Sequence, residues 1–187
     1  KKMHEPWPWP APDDDGRASH LVAGTPLPAI SLPSSAGVGI DLSKLPGRSV
    51  IFVYPFTGAS GQPNPPGWDA IPGAHGSTPE AEEFRDLMPM FAVKGVKVFG
   101  LSGQSSADQQ AFARRAGLTF PLLSDEGLQF ADALSLPRFE TGGVTFLKRL
   151  TVLAADGRVA ACIYPVHPPH THAREVLNLL DKEGELR

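Results

Sequence analysis

The stretch Ser49-Val-Ile-Phe-Val-Tyr54 consists of β-branched and aromatic residues and predicts a short, fully buried strand. A second apolar run, Val96-Lys-Val-Phe-Gly-Leu101, predicts another buried strand. Between them, residues 79–94 carry apolar side chains at helical spacing, and Pro89 within this segment predicts a kink. A strand, a helix and a strand in this order predict a parallel pair joined by a right-handed crossover.

After residue 101 the sequence predicts further helices, then an antiparallel pair of strands and a last helix. Asp156-Gly157 is the strongest hairpin signal in the chain, because this dipeptide suits a tight turn between antiparallel strands. The order therefore predicts an α/β fold with a mixed central sheet flanked by helices. The further predicted elements are helices over 106–116, 128–134 and 171–183, and strands over 146–153 and 158–164.

The N-terminal region has a different composition from the rest of the 187 residues. Pro6-Trp7-Pro8-Trp9-Pro10 favours an extended, polyproline-like backbone, and Asp13-Asp14-Asp15 is typical of a solvated charge cluster. We therefore expect an extended Pro/Trp-rich arm over residues 1–22 and a single domain over 23–187.

Composition excludes several classes of function. The formal net charge is -3 with no basic stripe, so neither nucleic acid nor a membrane surface is expected as a partner. No apolar run approaches the roughly 20 residues that cross a bilayer, and the start of the chain has no signal-peptide core. A cytoplasmic location is therefore expected. The single cysteine, Cys162, excludes a disulfide within the chain and a thiolate zinc cage.

A long proline-rich loop joins the first buried strand to its helix. Residues 58–76 contain prolines at 63, 65, 66 and 72, and a loop of this length in a compact domain is usually functional or mobile. The helix that follows begins near Gly76-Ser77-Thr78-Pro79-Glu80, where free backbone N–H groups and the helix dipole favour an anion. A cysteine there would have a lowered pKa, whereas a serine needs a neighbouring base. Ser77 and Glu80 also fit a capping box.

Several segments resemble the active-site region of peroxiredoxins of the Q type, the bacterioferritin-comigratory branch, with an insertion before the catalytic helix. The resemblance covers roughly residues 22–181 and implies a thioredoxin-like fold. The segments that carry it are Tyr54-Pro-Phe-Thr-Gly58, Gly67-Trp-Asp-Ala-Ile-Pro-Gly-Ala-His-Gly76, Ser77-Thr-Pro-Glu-Ala-Glu-Glu-Phe-Arg-Asp86, Phe120-Pro-Leu-Leu-Ser-Asp125 and Lys148-Arg149-Leu-Thr-Val152.

The chain departs from this family at the nucleophile. Ser77 stands where the family has its peroxidatic cysteine, and Glu82 stands where many Q-type members have a second cysteine. Either Ser77 is an engineered replacement of cysteine, or the chain is a natural member without peroxidase activity. The fit of Gly76, Thr78 and Pro79 to the catalytic pattern favours engineering.

The resemblance also implies roles for other residues. Arg149 is implied to stabilise the thiolate and the peroxide oxygens, Glu80 to orient that arginine, and Thr57 to bind peroxide through its hydroxyl. Cys162 is either a small core residue or the resolving thiol for a cysteine at position 77. His75 is expected to be solvated or to point into the site. A proline-rich tract resembles a metal site, but a solvated loop is expected instead; its histidines are His167, His170 and His172.

These residues predict a thiol-dependent peroxidase that reduces hydrogen peroxide or organic hydroperoxides, is inactive in this chain, and needs neither a cofactor nor a metal. Its expected reductant is thioredoxin or a small thiol, and its expected state is a monomer or a homodimer. The alternative is a non-catalytic thioredoxin-fold binding module that uses residues 58–76 or the Trp7/Trp9 arm. A serine hydrolase acting through Ser77 is a third hypothesis.

Overall fold

The computed structural model describes residues 6–185, and these fold around a five-stranded sheet. Its strand order is β5-β4-β3-β8-β9, and two short antiparallel ribbons, β1-β2 and β6-β7, lie outside it. The strands are β1 (Ser31–Leu32), β2 (Ile40–Asp41), β3 (Arg48–Val53), β4 (Lys97–Ser102), β5 (Leu122–Ser124), β6 (Arg138–Thr141), β7 (Val144–Leu147), β8 (Leu150–Ala155) and β9 (Arg158–Ile163). The helices are α1 (Ser77–Val93), α2 (Ser106–Ala116), α3 (Gln129–Ala133) and α4 (His172–Glu185).

The central sheet is mixed, as the sequence predicts. β3 pairs in parallel with β4, and β4 pairs in parallel with β5. On its other side β3 pairs antiparallel with β8, which forms an antiparallel hairpin with β9. Since β3 lies in the middle, its carboxyl end and the loop that follows reach the centre of one sheet edge. This is where open α/β sheets place their binding sites.

Alternating side chains of the central strands fill two separate cores. On one face, Phe52 stacks on Phe84 of α1 with ring centroids 4.5 Å apart, and α4 packs in the same layer. On the other face, Ile51 and Leu101 pack with α3 and with the N-terminal segment. Burial of both strand faces explains why β3 and β4 read as continuous apolar runs.

Three elements of the structure differ from the sequence prediction. The predicted strand over 146–153 is interrupted, because β7 ends at Leu147 and β8 begins at Leu150, so Lys148 and Arg149 form the link between the ribbon and the sheet. β5 was not predicted, since only three residues follow Pro121 before the chain leaves the sheet. α1 begins at Ser77, two residues before the predicted start, and includes Pro89, where the kink stays a prediction.

The N-terminal segment packs against the domain, and the boundary predicted at residue 22 stays a prediction. Residues 7–15 lack helix and strand, but Ala18 and Leu21 are buried in the core. Asp13, Asp14 and Asp15 are exposed, as predicted, and Asp15 also accepts hydrogen bonds from Lys148 Nζ at 2.9 Å and from Tyr164 Oη at 2.7 Å. Residues 1–5 of the predicted arm lie outside the described residues.

The described helices are too short or too polar to cross a membrane.

Candidate active site

Gly76 is the N-cap of α1 and sets the position of Ser77. Its φ of 116° lies in a region that residues with a side chain rarely adopt. A Cβ at this position would also lie 2.8 Å from Cζ2 of Trp7 and 3.0 Å from Cβ of Pro169. Glycine is therefore required here for both its backbone conformation and its lack of a side chain.

Ser77 is the first residue of α1 and not its cap. No side chain caps this helix, so the capping box predicted for Ser77 and Glu80 is wrong. Ser77 is buried, and its Oγ accepts a hydrogen bond of 3.1 Å from Nη2 of Arg149. The side chain thus lies where the unpaired N–H groups of a 17-residue helix meet a guanidinium.

Arg149 holds the end of the loop against the start of the helix. It is 4% exposed, and its Nη1 donates to Glu80 Oε1 at 2.9 Å. Its Nη2 shares its two hydrogens among Ser77 and three successive carbonyl oxygens, those of Gly73, Ala74 and His75, at 3.3, 3.1 and 3.2 Å. A guanidinium suits this position because it stays charged and presents several donors in a fixed plane.

Glu80 is fully buried one helical turn after Ser77. Burial raises the pKa of this carboxyl, and the positive charge of Arg149 opposes the rise. Among the described atoms Oε2 of Glu80 has no hydrogen-bond partner, so Arg149 is the main compensation for the buried charge. The structure therefore brings together Ser77, Glu80 and Arg149, three of the residues singled out in the sequence.

Thr57 lies in the loop four residues after the end of β3, and its hydroxyl bonds another side chain. Thr57 Oγ1 and Thr57 N both donate to Oε1 of Gln104, at 3.1 and 3.0 Å, and Gln104 Nε2 donates back to Thr57 O at 3.2 Å. A role of Thr57 in binding peroxide stays a prediction, since this hydroxyl contacts Gln104 and not Ser77. Sequence reasoning missed Gln104, which lies in the loop between β4 and α2.

Comparison with known proteins places this arrangement in a family. The redoxin family profile matches residues 22–180. The chain is 32% identical to chloroplastic peroxiredoxin Q of Sedum lineare over 161 residues, which cover 86% of this chain and 78% of that protein.

The chain is a peroxiredoxin of the Q type.

Solved structures agree with this assignment. The bacterioferritin comigratory protein of Xanthomonas campestris, studied for its alkyl peroxide reduction activity, has 28% identity and a TM-score of 0.67 and covers 86% of this chain and 98% of its own. Peroxidoxin BcpB of Mycobacterium tuberculosis has 28% identity and a TM-score of 0.68, covering 87% and 98%. The thioredoxin-like peroxiredoxin fold and the thiol-dependent peroxidase family are thereby confirmed, whereas the engineered origin of Ser77 stays a prediction.

Cys162, the candidate resolving thiol of this peroxiredoxin, lies away from the start of α1. It is half-buried on β9 in register with Val152, and it packs against the core on the sheet face opposite α1. Burial raises the pKa of its thiol to about 11. Its surroundings fit the small core residue that the sequence also allowed, and the resolving role stays a prediction.

The histidines of the C-terminal tract are not a solvated loop, which corrects the prediction. His172 is fully buried and shares a hydrogen bond of 2.7 Å with Thr151 Oγ1, while only His167 of the three is exposed. Within residues 6–185 no cluster of three or more potential metal ligands occurs.

A cavity of about 300 Å³ opens beside Ser77 in this peroxiredoxin, and the N-terminal segment forms part of its wall. Trp9 stacks on His75 with ring centroids 3.7 Å apart, and Trp7 stacks on His170 at 4.9 Å. His75 also bonds Asp69 at 2.7 Å, so it is neither free nor simply solvated. Sequence reasoning missed that the N-terminal segment forms part of the cavity wall. The signal was the pair of tryptophans in this segment, since such large rings usually pack against other residues.

Proposed function

We propose that the start of α1 is a peroxide site whose nucleophile has been replaced, so that the Ser77 protein binds peroxide without reducing it. One observation carries this proposal: the buried Arg149 donates to Ser77 Oγ at the N-terminus of a long helix. Arg149, and not a histidine, is the hydrogen-bond partner of Ser77, which argues against the serine hydrolase hypothesis.

The chemistry of the family supports the expectation that serine at position 77 abolishes turnover. With cysteine at position 77, the thiolate sulfur attacks one peroxide oxygen and the O–O bond breaks. The other oxygen takes a proton and leaves as water or an alcohol, and the sulfur becomes a sulfenic acid. Two equivalents of a thiol, from thioredoxin or a small molecule, then return the cysteine, with release of water and a disulfide. A neutral serine hydroxyl cannot begin this sequence.

The surroundings of Ser77 support the proposal because they stabilise negative charge, either on a thiolate sulfur or on a peroxide oxygen. Arg149 and the first N–H groups of α1 converge on the same point, so a thiolate and the departing peroxide oxygen would both be stabilised there. The alkyl peroxide reduction activity of the Xanthomonas campestris relative is consistent with this interpretation.

The pKa of a cysteine placed at position 77 tests the proposal. In Ser77→Cys, we expect the rate of alkylation by iodoacetamide to rise with a midpoint at least about one pH unit below 8.5, the usual value for cysteine. Mass spectrometry assigns the modification to each thiol, and Cys162, whose pKa burial raises to about 11, is the internal reference.

Thr78→Cys is the matched control. Thr78 is exposed in the same first turn of α1, so it shares the helix N-terminus, but its side chain is not a hydrogen-bond partner of Arg149. We expect a higher pKa at position 78 than at position 77. Equal pKa values at the two positions would show that Arg149 does not stabilise a thiolate at position 77.

A further inference from the structure

All three tryptophans of the chain line the cavity beside Ser77. Trp7 and Trp9 come from the N-terminal segment, and Trp68 comes from the inserted loop. Phe56, from the loop that follows β3, is a fourth aromatic residue in the wall and packs edge-on against Trp68 with ring centroids 5.6 Å apart. Two segments that lie outside the regular fold thus supply most of the aromatic surface around position 77.

The N-terminal segment is fixed on the C-terminal side of these tryptophans. Gly73 N donates to Pro10 O at 3.1 Å, and Asp15 is bonded to Lys148 and Tyr164. The rings of Trp7 and Trp9 are themselves stacked on histidines. Because each ring has its own support, the segment forms a preorganised wall, and binding a ligand there costs little ordering of the chain.

The size of the cavity exceeds what hydrogen peroxide needs. A volume of about 300 Å³ is at the lower end for pockets that bind small organic ligands, whereas hydrogen peroxide has only two non-hydrogen atoms. Ser77, which accepts a hydrogen bond from Arg149, is a polar group of the cavity lining, while the aromatic side chains provide a surface for an apolar body.

We propose that Trp7 and Trp9 are specificity-determining residues that select ligands with an aromatic ring next to a hydroperoxyl or hydroxyl group. The ring contacts the aromatic walls, and the oxygen hydrogen-bonds to Ser77, whose Oγ is held by Arg149. This inference rests on the proposed peroxide site and names the class of peroxide that the site prefers.

Intrinsic fluorescence of the Ser77 protein tests the inference directly, since every tryptophan lies at the cavity. The two probes are 2-phenyl-2-propanol and tert-butanol, which share a tertiary alcohol and differ by one phenyl ring. We expect a saturable fluorescence change with the phenyl alcohol and an affinity about tenfold higher than for tert-butanol. In Trp7→Ala and Trp9→Ala, with Trp68 as the remaining reporter, this preference should fall severalfold.

Two variants serve as controls. Trp9→Phe keeps an aromatic ring and should retain most of the preference, and Val93→Ala removes an exposed apolar group at the far end of α1 and should retain all of it. Circular dichroism of each variant shows whether it is folded. Equal affinities for the two alcohols would overturn the inference. Tighter binding of both alcohols when either tryptophan is removed would also overturn it, and would show that the N-terminal segment blocks the site.

These binding measurements separate the inference from the proposed function. If Ser77→Cys does not reduce peroxide but the Ser77 protein still prefers the phenyl alcohol through Trp7 and Trp9, the reaction is excluded and the aromatic selectivity remains. If Ser77→Cys is active but neither tryptophan affects the preference, the peroxide site remains and the selectivity is excluded.

Discussion

Replacing Ser77 by cysteine is expected to convert this chain into a peroxidase. In the presence of dithiothreitol, the Ser77→Cys protein should consume hydrogen peroxide with a kcat/KM of about 10⁴ M⁻¹ s⁻¹ or more, in the usual range of enzymes. The chain with Ser77 should not exceed the rate of dithiothreitol alone. The reason is that Arg149 and the helix N-terminus already surround position 77, so that only the sulfur is missing.

The control for this experiment keeps Cys162 out of the reaction. Both proteins are measured with Cys162→Ser, and Ser77→Ala provides a protein without any nucleophile at that position. A Ser77→Cys protein that folds normally but consumes peroxide no faster than Ser77→Ala would contradict the account. That result would favour the non-catalytic binding module.

The second large effect concerns stability. Replacing Arg149 by methionine should lower the free energy of unfolding by about 3–5 kcal/mol, because it leaves the carboxylate of Glu80 buried without its partner. Chemical denaturation with urea measures this difference. The hydrogen bonds from Arg149 to the carbonyl oxygens of residues 73–75 are lost as well, so the loop before α1 should loosen.

The effect of this substitution should depend on pH. Burial raises the pKa of Glu80, and without the positive charge of Arg149 it rises further above the value of about 4.3 in the unfolded chain. The folded variant then keeps a proton that the unfolded chain releases. Its stability should therefore be highest near pH 4 and fall as the pH rises from 5 to 8, with a smaller fall in the unchanged protein.

Two variants control for the loss of an arginine in general. Arg138→Met breaks an exposed ion pair with Asp132 and should cost less than about 1 kcal/mol. Glu80→Leu combined with Arg149→Met removes both buried charges and should recover much of the lost stability. If the Arg149→Met protein were as stable as the Arg138→Met protein, the ion pair of Arg149 with Glu80 would not hold the site together.

The central strands could be predicted from the sequence because they are buried on both faces. β3 and β4 carry uninterrupted apolar residues of high strand propensity, so the local pattern and the final environment agree. β5 has only three residues after Pro121, too few to show any alternation. The interruption between β7 and β8 at Lys148 and Arg149 could not be predicted, because apolar residues on both sides of it look like one continuous strand.

The site itself was only partly predictable. The pairing of Arg149 with Glu80 joins residues 69 positions apart, so no local pattern reveals it, and here the family resemblance supplied the assignment. The capping box was wrong because Gly76 takes the N-cap position, and the positive φ that makes this possible is not apparent in the sequence. The packing of Trp7 and Trp9 depends on His170 and His75, which only the complete fold brings near.

One rate comparison tests most directly whether Arg149 activates the group at position 77. Arg149→Lys keeps the positive charge beside Glu80 but replaces the planar set of donors with a single ammonium group. Stopped-flow measurement of the reaction with hydrogen peroxide is made on Ser77→Cys with and without Arg149→Lys. The account predicts a rate constant lowered about a hundredfold or more in the lysine variant while the fold is retained. Equal rate constants in the two folded proteins would contradict it.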